Sequence, residues 1–341
     1  MKLKDLASEL GLSPTTVSRA LNGFPEVSEI TRRRVSEAAL RLGYRANANA
    51  RRLATGQSGA IGIVLPLGPA QNFGPHTSEF LSGLGERLAQ FELDIVVTPL
   101  DDDDEMPVYA RLSASKRVDG VVVLSPSLRD PRIAGLTALQ LPFILHGRTE
   151  TELPHAWLDI DNIGAFHRAT SHLIDLGHRH IALVNGPPHQ TFAIHREQGF
   201  RAAMLGRDLV PNPMLIGGGR LTDESGFRLA QRFLDHKPRP TAFLASSMMT
   251  ALGVFRAIRS AGLELGRDIS MIAHDDVFPY LNADNMVPTM STTRSSIRAA
   301  GARSADLLMQ MIAGKPPETI GELWPVELVL RESTAPVRVP A

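Results

Sequence analysis

Residues 3–43 read LKDLASELGLSPTTVSRALNGFPEVSEITRRRVSEAALRLG, and they contain the signals for three short helices in close succession. Apolar residues recur at the helical period in the first segment, and Gly11 stands where a helix would end. Ser13 offers an N-cap hydroxyl to a second helix, and Ser28 offers one to a third. Because the turn between the first two helices is tight, the pattern predicts a helix-turn-helix over residues 1–46.

The charge of the chain changes along its length. The 341 residues together carry 36 Lys and Arg against 36 Asp and Glu, which gives a net charge of zero. The first 57 residues hold ten basic and five acidic side chains, a net charge of +5, and the remainder therefore carries −5. A small basic module thus precedes a larger acidic one, as is typical of a protein that binds nucleic acid at one end.

The sequence contains no cysteine, which excludes disulfides, thiolate zinc sites and cysteine nucleophiles. The first ten residues, MKLKDLASEL, interleave charges and do not form the apolar run of a signal peptide. No uncharged apolar stretch reaches transmembrane length. These features predict a cytoplasmic protein.

The pattern changes after the first helices. Residues 47–59 contain good helix formers without a wide apolar face, so we expect a hinge and linker that is poorly ordered by itself. Beyond it, apolar runs such as AIGIVLPL (60–67) and GVVVLSP (120–126) alternate with amphipathic stretches, which predicts an α/β fold with parallel sheets and helical crossovers. About 280 residues of this pattern are more than a single hydrophobic core usually includes, so two lobes with a cleft between them are expected.

The second helix carries a candidate DNA-reading face. Thr15, Ser18, Arg19 and Asn22 lie outside its apolar stripe at the spacing i, i+3, i+4, i+7, which places them on one side. An arginine can hydrogen-bond guanine with two donors, a threonine can approach base edges, and Ser and Asn can donate to phosphates. The alternative is the solvated face of a small helical bundle.

The segment KLKDLASELGLSPTTVSRALNGFPEVSEITRRRVSEAALRLGYRANANARRLATGQSGAIGIVLP, residues 2–66, resembles the N-terminal signature of the LacI family of bacterial transcription regulators, with VSRALNG and LGY in the expected order. The resemblance implies a ligand-responsive regulator, most often a repressor, that binds a pseudo-palindromic operator as a homodimer. It implies base-reading positions for Pro14, Thr15 and Arg19, and positions near phosphates for Thr16, Ser18, Asn22, Thr31, Tyr44 and Asn47. It further implies a hinge helix over 47–55 whose Leu53 wedges into the minor groove. Ala46 stands where the family usually has a proline before the hinge asparagine.

The resemblance continues to about residue 333 and implies a two-lobed fold of the periplasmic-binding-protein type. The N-lobe would comprise about 60–161 and 291–322, the C-lobe 162–290 and 323–333, and 334–341 would be a tail. Ligands of such folds bind between the lobes, beyond the carboxyl ends of the strands. The candidate effector-binding residues at those strand ends and on nearby aromatic faces are Phe73, Pro75, His76, His146, Arg148, Trp157, Phe192, Ile194, Arg196, Ser247, Met248, Asp275, Phe278, Tyr280 and Ile297.

Asp275 is the leading candidate, because a carboxylate can accept hydrogen bonds from two neighbouring sugar hydroxyls. The alternative for Asp275 is a capping or lobe-bridging role. Ile194 stands where many family members have an arginine that binds the ligand, and Ser247 stands where they have an asparagine. Because this chain lacks both side chains at these positions, the family's recognition of a monosaccharide through them cannot be carried over to it. The segments SSM, HDD and STTRSSIRAAG resemble the subgroup that senses α-glucosides and related di- or oligosaccharides.

Other chemistry is less well supported. Ser247, His274 and Asp275 could be a hydrolase triad, but no GxSxG is present, and adjacent strand residues point to opposite faces of a sheet. The histidines near residue 172 lack the i, i+4 spacing that converges on a metal, and there is no phosphate-binding GxGxxG or Walker motif. We therefore expect no enzymatic activity, no cofactor and no metal. A sugar-binding transport component of the same two-lobed fold is the alternative function, and it would require export.

Overall fold

The computed structural model describes residues 3–21, 24–44, 57–66, 74–100, 104–275 and 277–338. Residues 3–44, called the headpiece below, contain the helices α1 (Leu3–Leu10), α2 (Pro14–Leu21) and α3 (Glu29–Arg41). The predicted caps are present: Ser13 Oγ accepts a hydrogen bond from Thr16 N at 3.0 Å, and Ser28 Oγ accepts one from Thr31 N at 3.3 Å. Gly11 ends the first helix with φ +64°, as its position in the sequence predicted.

The first large sheet is entirely parallel, and with its helices it forms the N-lobe. Its strand order is β11-β5-β4-β3-β1-β2. The strands are β1 (Ala60–Pro66), β2 (Asp94–Leu100), β3 (Gly120–Leu124), β4 (Phe143–His146), β5 (Ala156–Ile160) and β11 (Gly321–Trp324). The helices are α4 (Pro75–Ala89), α5 (Met106–Ala114), α6 (Arg132–Ala138) and α11 (Ile297–Ile312).

The second sheet forms the C-lobe, in the order β12-β10-β9-β8-β6-β7. Only its edge pair β10–β12 is antiparallel among the described pairings. The strands are β6 (Ile181–Asn185), β7 (Ile216–Gly218), β8 (Ala242–Ala245), β9 (Ser270–Asp275), β10 (Ser291–Arg294) and β12 (Glu327–Val329). The helices are α7 (Asn162–Asp175), α8 (Thr191–Leu205), α9 (Asp223–Leu234) and α10 (Met248–Ser260), and short 3₁₀ turns lie at Pro213–Leu215, Ala283–Asn285 and Pro317–Thr319.

Helices cover both faces of each sheet because the strands are apolar on both sides. In β3, Val122 belongs to the same buried cluster as Phe80 of α4, whereas its neighbours Val121 and Val123 belong to the cluster that contains Tyr109 of α5. This double burial explains why the central strands appear in the sequence as continuous apolar runs.

In the described part of the chain, three helix pairs approach so closely that only glycine fits at the contact: α4–α11, α7–α8 and α9–α10. A Cβ on Gly301 of α11 would lie 2.1 Å from the carbonyl oxygen of Phe80 in α4, and one on Gly199 of α8 would lie 2.1 Å from that of Ile163 in α7. The missing side chain lets the paired helix backbones lie against each other.

The chain passes between the lobes three times. The first crossing follows β5 at residue 161, close to the predicted 162. Strand β10 belongs to the C-lobe sheet and β11 belongs to the N-lobe sheet, so the second and third crossings fall at 295–296 and 325–326 rather than at the expected 291 and 322. Three buried residues of β10 are hydroxylic (Ser291, Thr292 and Thr293), so no apolar run marks it as a strand in the sequence.

In the part of the chain that the structure describes, no helix has both the length and the apolar character needed to cross a membrane.

Candidate operator-binding face and effector cleft

The recognition helix α2 is held by a small core of its own. Leu6, Val17 and Val35, one from each headpiece helix, are fully buried. Arg34 Nη2 donates to the carbonyl oxygen of Leu10 at 3.0 Å and ties α3 to the end of α1. The outward face of α2 is therefore fixed relative to the other two helices.

That outward face carries the predicted base-reading side chains. Pro14, Thr15 and Arg19 are exposed, and Thr16 and Ser18 are half-buried. Because Thr15 and Arg19 are four residues apart, they lie one turn apart on the same side of the helix. A base edge and an adjacent phosphate could thus be contacted together by this surface.

A cleft of about 450 Å³ lies between α2 and the start of α3. It is lined by Thr15, Thr16 and Arg19 on one side and by Ser28 and Thr31 on the other. Both helices begin at this cleft, and helix N-termini carry partial positive charge that favours anions. The structure therefore brings Thr31 into the same surface as the α2 residues, a surface to which Arg19 contributes a cation and Glu26 a carboxylate.

Tyr44, at the end of the described headpiece, is half-buried against the headpiece core, and its backbone N–H donates to the Ala39 carbonyl at 2.9 Å. Burial raises the pKa of its phenol above the ordinary value, so the hydroxyl is a neutral donor at physiological pH. The predicted DNA contacts Asn22, Asn47 and Leu53 lie outside the described residues, as does most of the hinge at 47–59.

In the N-lobe, two predicted effector residues lie side by side. His76, in the first turn of α4, and His146, the last residue of β4, have ring centroids 6.0 Å apart. Phe80, fully buried one turn further along α4, lies 4.9 Å from the His146 ring. Phe73 is outside the described residues.

Arg148 lies just beyond the end of β4. Its Nε donates to Asp159 Oδ2 at 2.8 Å, and its guanidinium carbon is 5.5 Å from the centre of the Trp157 ring. Asp159 is buried, whereas the Arg148 side chain is 29% exposed. Arg148 can therefore present part of its guanidinium to the cleft while Asp159 neutralises its charge.

In the C-lobe, α8 places three predicted effector residues together. Phe192 and Ile194 are half-buried, and Arg196 is buried. The Arg196 guanidinium carbon lies 4.8 Å from the centre of the Phe192 ring and 5.1 Å from that of Phe166. Although Ile194 supplies no donor, a guanidinium does reach this part of the C-lobe, from Arg196 two residues later.

Two predicted effector residues at the end of β8 are almost fully buried in the present lobe arrangement. Ser247 is the N-cap of α10: its Oγ accepts from Thr250 N at 3.1 Å, and Thr250 Oγ1 in return accepts from Ser247 N at 3.2 Å. Met248, the next residue, is fully buried in the core. The signal for this cap, a serine three residues before a threonine, is present in the sequence.

Asp275, at the carboxyl end of β9, is 5% exposed. Its Oδ1 accepts from Val277 N at 2.7 Å, and its Oδ2 lies 3.8 Å from Arg294 Nε on the neighbouring strand. Val277 has φ +61°, an unusual value for a β-branched residue, so the turn after Asp275 is strained. Both the predicted ligand role and the alternative capping role are compatible with this carboxylate.

The other candidates after β9 and β10 divide by burial. Phe278 is buried and stacks on Tyr280, which is 62% exposed, with the ring centroids 5.9 Å apart. Ile297, the first residue of α11, is 4% exposed. Tyr280 is thus the accessible member of this group.

The geometry gives no support to a catalytic triad. His274 Nδ1 lies 3.0 Å from Thr293 Oγ1, and its Nε2 lies 3.4 Å from Ser295 Oγ, so the ring faces the neighbouring strand. Ser247 uses its hydroxyl in the helix cap. Within the described ranges, no group of three or more histidine or carboxylate side chains is positioned to hold a metal ion.

A contact between the lobes was not predicted from the sequence. Thr191, the first residue of α8 in the C-lobe, donates from both N and Oγ1 to the carbonyl oxygen of Pro126 in the N-lobe, at 3.0 and 3.1 Å. Ser127 and Gln190 form an isolated antiparallel bridge beside it. Both segments follow the carboxyl ends of strands, so the cleft is bounded on this side by a direct connection between its walls.

The loop that carries Pro126 is anchored by an ion-pair cluster around the buried carboxylate of Asp130. Arg132 bonds the Asp130 carboxylate through Nε at 2.9 Å and Nη2 at 2.7 Å, and it bonds Glu105 through Nη1 at 2.7 Å. Burial alone would raise the pKa of Asp130, but hydrogen bonds and charge from Arg132 outweigh it and hold that pKa below its usual value. Ser127 N donates to Asp130 Oδ2 at 3.0 Å, so the N-lobe side of the cleft contact is held by this cluster.

Comparison with known proteins covers both parts of the chain. Residues 2–47 match the sequence-family model of bacterial regulatory proteins of the lacI family. Residues 58–330 match the family model of periplasmic binding proteins and the sugar binding domain of the LacI family. The chain is 47% identical over 337 residues to the HTH-type transcriptional regulator AglR of Rhizobium meliloti, covering 98% of this chain and 95% of AglR.

Two solved structures are similar along almost the whole chain. The lac repressor dimer bound to operator and an anti-inducer has 27% identity and a TM-score of 0.80, covering 98% of this chain and 99% of that one. The complex of the regulator CelR with cellobiose has 28% identity and a TM-score of 0.73, covering 98% of this chain and 100% of CelR.

Proposed function

This chain belongs to the LacI family of bacterial regulatory proteins, and we propose that it is a cytoplasmic repressor that releases its operator when an α-glucoside or a related disaccharide binds between the lobes. It is a DNA-binding transcription regulator that functions as a dimer, with a helix-turn-helix at one end and an effector domain at the other. We infer that it has no enzymatic activity, and that effector binding rather than turnover is its response to the sugar.

The observation that carries the proposal is the combination of two surfaces in one chain. The α2 face exposes Thr15 and Arg19, which supports contact with a DNA groove, and the strand ends of the two sheets support a ligand site between the lobes. The alternative function, a sugar-binding transport component, explains the cleft but does not explain the helix-turn-helix.

Symmetry explains why a dimer is needed. One recognition helix reads only a few base pairs, so two half-sites on a pseudo-palindrome supply useful specificity. The hinge at 47–59 would pair with its copy on the operator, and Leu53 would enter the minor groove at the dyad. A sugar releases the operator if it binds more tightly to the lobe arrangement in which the hinges are apart.

The chemistry of the cleft supports a sugar as the effector. Aromatic rings at Trp157 and Phe192 can stack on the apolar face of a sugar, while Arg148 and Asp275 can bond its hydroxyls. The predicted contacts Phe73, His76, His146, Ile194, Arg196, Ser247, Met248 and Ile297 complete the proposed set. The relative CelR binds cellobiose in its solved structure, which supports a disaccharide for this chain as well.

The test has two stages. First, the full-length protein selects duplexes from a random library, and we expect a two-fold-symmetric consensus. Second, a thermal-shift screen compares maltose, sucrose, trehalose and cellobiose with glucose and with purines. A sugar at 100 times its Kd should stabilise the protein by roughly 2.7 kcal/mol.

Each stage has its own contradicting result. Failure to enrich any duplex would refute the operator-binding proposal. If an operator is enriched but purines stabilise the protein, or none of the sugars does, the operator-binding proposal holds and the proposal of a sugar effector is refuted.

A further inference from the structure

A continuous chain of hydrogen bonds passes from one lobe to the other along the first crossing, and Asn162 lies at its centre. Asn162 is the first residue of α7 in the C-lobe and is 1% exposed. Its Nδ2 donates to Asp159 Oδ1 in the N-lobe at 3.3 Å, and its Oδ1 accepts from Arg196 Nε in the C-lobe at 2.7 Å. One side-chain amide thus bonds both walls of the cleft.

On the N-lobe side, the chain of hydrogen bonds continues to the cleft surface. Asp159 accepts from the backbone N of Ile160 at 2.8 Å and from Arg148 Nε at 2.8 Å. Arg148 in turn lies over the Trp157 ring. The orientation of Arg148 therefore depends on where the Asp159 carboxylate is held.

On the C-lobe side, the chain of hydrogen bonds reaches the ends of two strands. Arg196 Nη1 donates to the carbonyl oxygen of Ser246 at 2.6 Å, and Ser246 Oγ donates to Asn185 Oδ1 at 2.7 Å. Arg196, Ser246 and Asn185 are all at least 95% buried. Because water cannot replace these bonds, a displacement of Asn162 would leave buried polar groups unsatisfied.

Only an amide satisfies both partners at this position. The carboxylate of Asp159 requires a donor, and the guanidinium of Arg196 requires an acceptor. Asn162 Nδ2 also donates to the carbonyl oxygen of Ile160 at 3.3 Å. An aspartate at 162 would keep the bond to Arg196 but place two carboxylates against each other, and an alanine would lose all three side-chain bonds. The residue type is thus determined by its position between the two charged groups.

We propose that Asn162 is a positioning residue that fixes the relative orientation of the two lobes and, with it, the spacing of Arg148 and Arg196 across the cleft. The effector then meets two guanidinium groups whose separation is set before it binds. A rotation of the lobes about the first crossing must break or rebuild the Asn162 bonds, so these bonds bias the equilibrium between lobe arrangements.

Other contacts at the crossings would keep an Asn162 variant folded. Asp161 caps α7 by accepting from Gly164 N at 2.8 Å, and Arg168 Nη2 donates to the carbonyl oxygen of Val326 at the third crossing at 2.7 Å. Neither contact involves the Asn162 side chain, so loss of the amide loosens the lobes without removing the connection between them.

The absence of cysteine makes a direct distance measurement possible. Exposed alanines on helices of the two lobes, Ala138 on α6 and Ala202 on α8, are replaced by cysteine in the full-length chain and spin-labelled. The labelled chain is mixed with an excess of unlabelled chain, so that dimers carry a single label pair. Electron double resonance then gives the distribution of inter-lobe distances without operator or sugar.

We expect one narrow inter-lobe distance for the parent chain. Asn162→Ala and Asn162→Asp should each shift or broaden it, while a label pair within the N-lobe, at Ala114 and Ala138, should be unchanged. Asn212→Ala is the matched control, because Asn212 makes its hydrogen bonds within the C-lobe alone, to Met214 N and His236.

An unchanged inter-lobe distribution in folded Asn162→Ala and Asn162→Asp would overturn the proposal. A change in the N-lobe pair as well would also overturn it, because it would indicate general unfolding rather than reorientation. Since neither DNA nor sugar enters the measurement, this result is independent of the proposed function.

Discussion

Thr191 makes the hydrogen bonds that join α8 of the C-lobe to the loop after β3 of the N-lobe, so Thr191→Val tests whether this contact contributes to sugar binding. Valine has nearly the same shape but lacks the hydroxyl that donates to the Pro126 carbonyl at 3.1 Å. The backbone N–H of residue 191 still donates to that carbonyl, so no buried acceptor is left without a partner. The expected loss is therefore that of one ordinary hydrogen bond, about 1 kcal/mol.

This loss should appear in the affinity for the effector. The Thr191 bond exists only while the two walls approach each other, so its removal favours the separated arrangement by about 1 kcal/mol, or roughly fivefold in population. If the sugar binds the approached arrangement, its Kd should rise by up to about fivefold. Calorimetric titration with the disaccharide that most stabilises the parent protein gives this value.

Thr170→Val is the matched control. Thr170 is fully buried in the C-lobe, and its hydroxyl donates to the Phe166 carbonyl at 2.6 Å within the same helix. Both variants should lower the thermal stability by a similar amount, but only Thr191→Val should weaken sugar binding. Equal effects of the two variants on the Kd, or no effect of either, would refute the role of the inter-lobe contact.

Three further outcomes are expected. Arg132→Met leaves the buried carboxylate of Asp130 and the half-buried carboxylate of Glu105 without their cation, so it should cost about 3–5 kcal/mol of N-lobe stability, and a loss below about 1 kcal/mol in urea unfolding would contradict this expectation. Burial lowers the pKa of His178 below its usual value, so between the two pKa values the unfolded state is protonated and the folded state is not. The free energy of unfolding should therefore fall as pH drops below about 6.5. In thermal unfolding, His178→Gln should reduce this pH dependence. Leu53→Ala should weaken operator binding by about 1–3 kcal/mol with little change in sugar affinity, and unchanged operator affinity in a gel-shift titration would refute the minor-groove wedge.

The headpiece could be predicted from the sequence because its signals are local. The caps at Ser13 and Ser28 and the glycine end at Gly11 each depend on a few neighbouring residues, and all three are present as predicted. The apolar strands of both lobes were also recognisable, because burial on both faces requires continuous apolar runs. The polar strand β10 lacks that signal, which is why the second crossing was expected four residues too early.

The cleft was less predictable because its contacts join distant parts of the chain. The position of Ser247 after a strand indicated a ligand contact, but the hydroxyl is used in the cap of α10. The bond from Asn162 to Arg196 spans 34 positions, and that from Thr191 to Pro126 spans 65. Residue type and periodicity carry no information about such pairs, so their part in joining the lobes emerged only from the structure.

We propose that one chain couples sugar binding to the release of a specific operator. Fluorescence anisotropy tests this coupling when the full-length dimer is titrated with the selected operator and with a scrambled duplex, each with and without the stabilising disaccharide. We predict that the operator binds at least about 10³-fold more tightly than the scrambled duplex at physiological salt, and that saturating disaccharide weakens this affinity by about 5–150-fold. Equal affinity for the two duplexes, or an operator affinity that the disaccharide leaves unchanged, would show that the protein does not couple sugar binding to operator release.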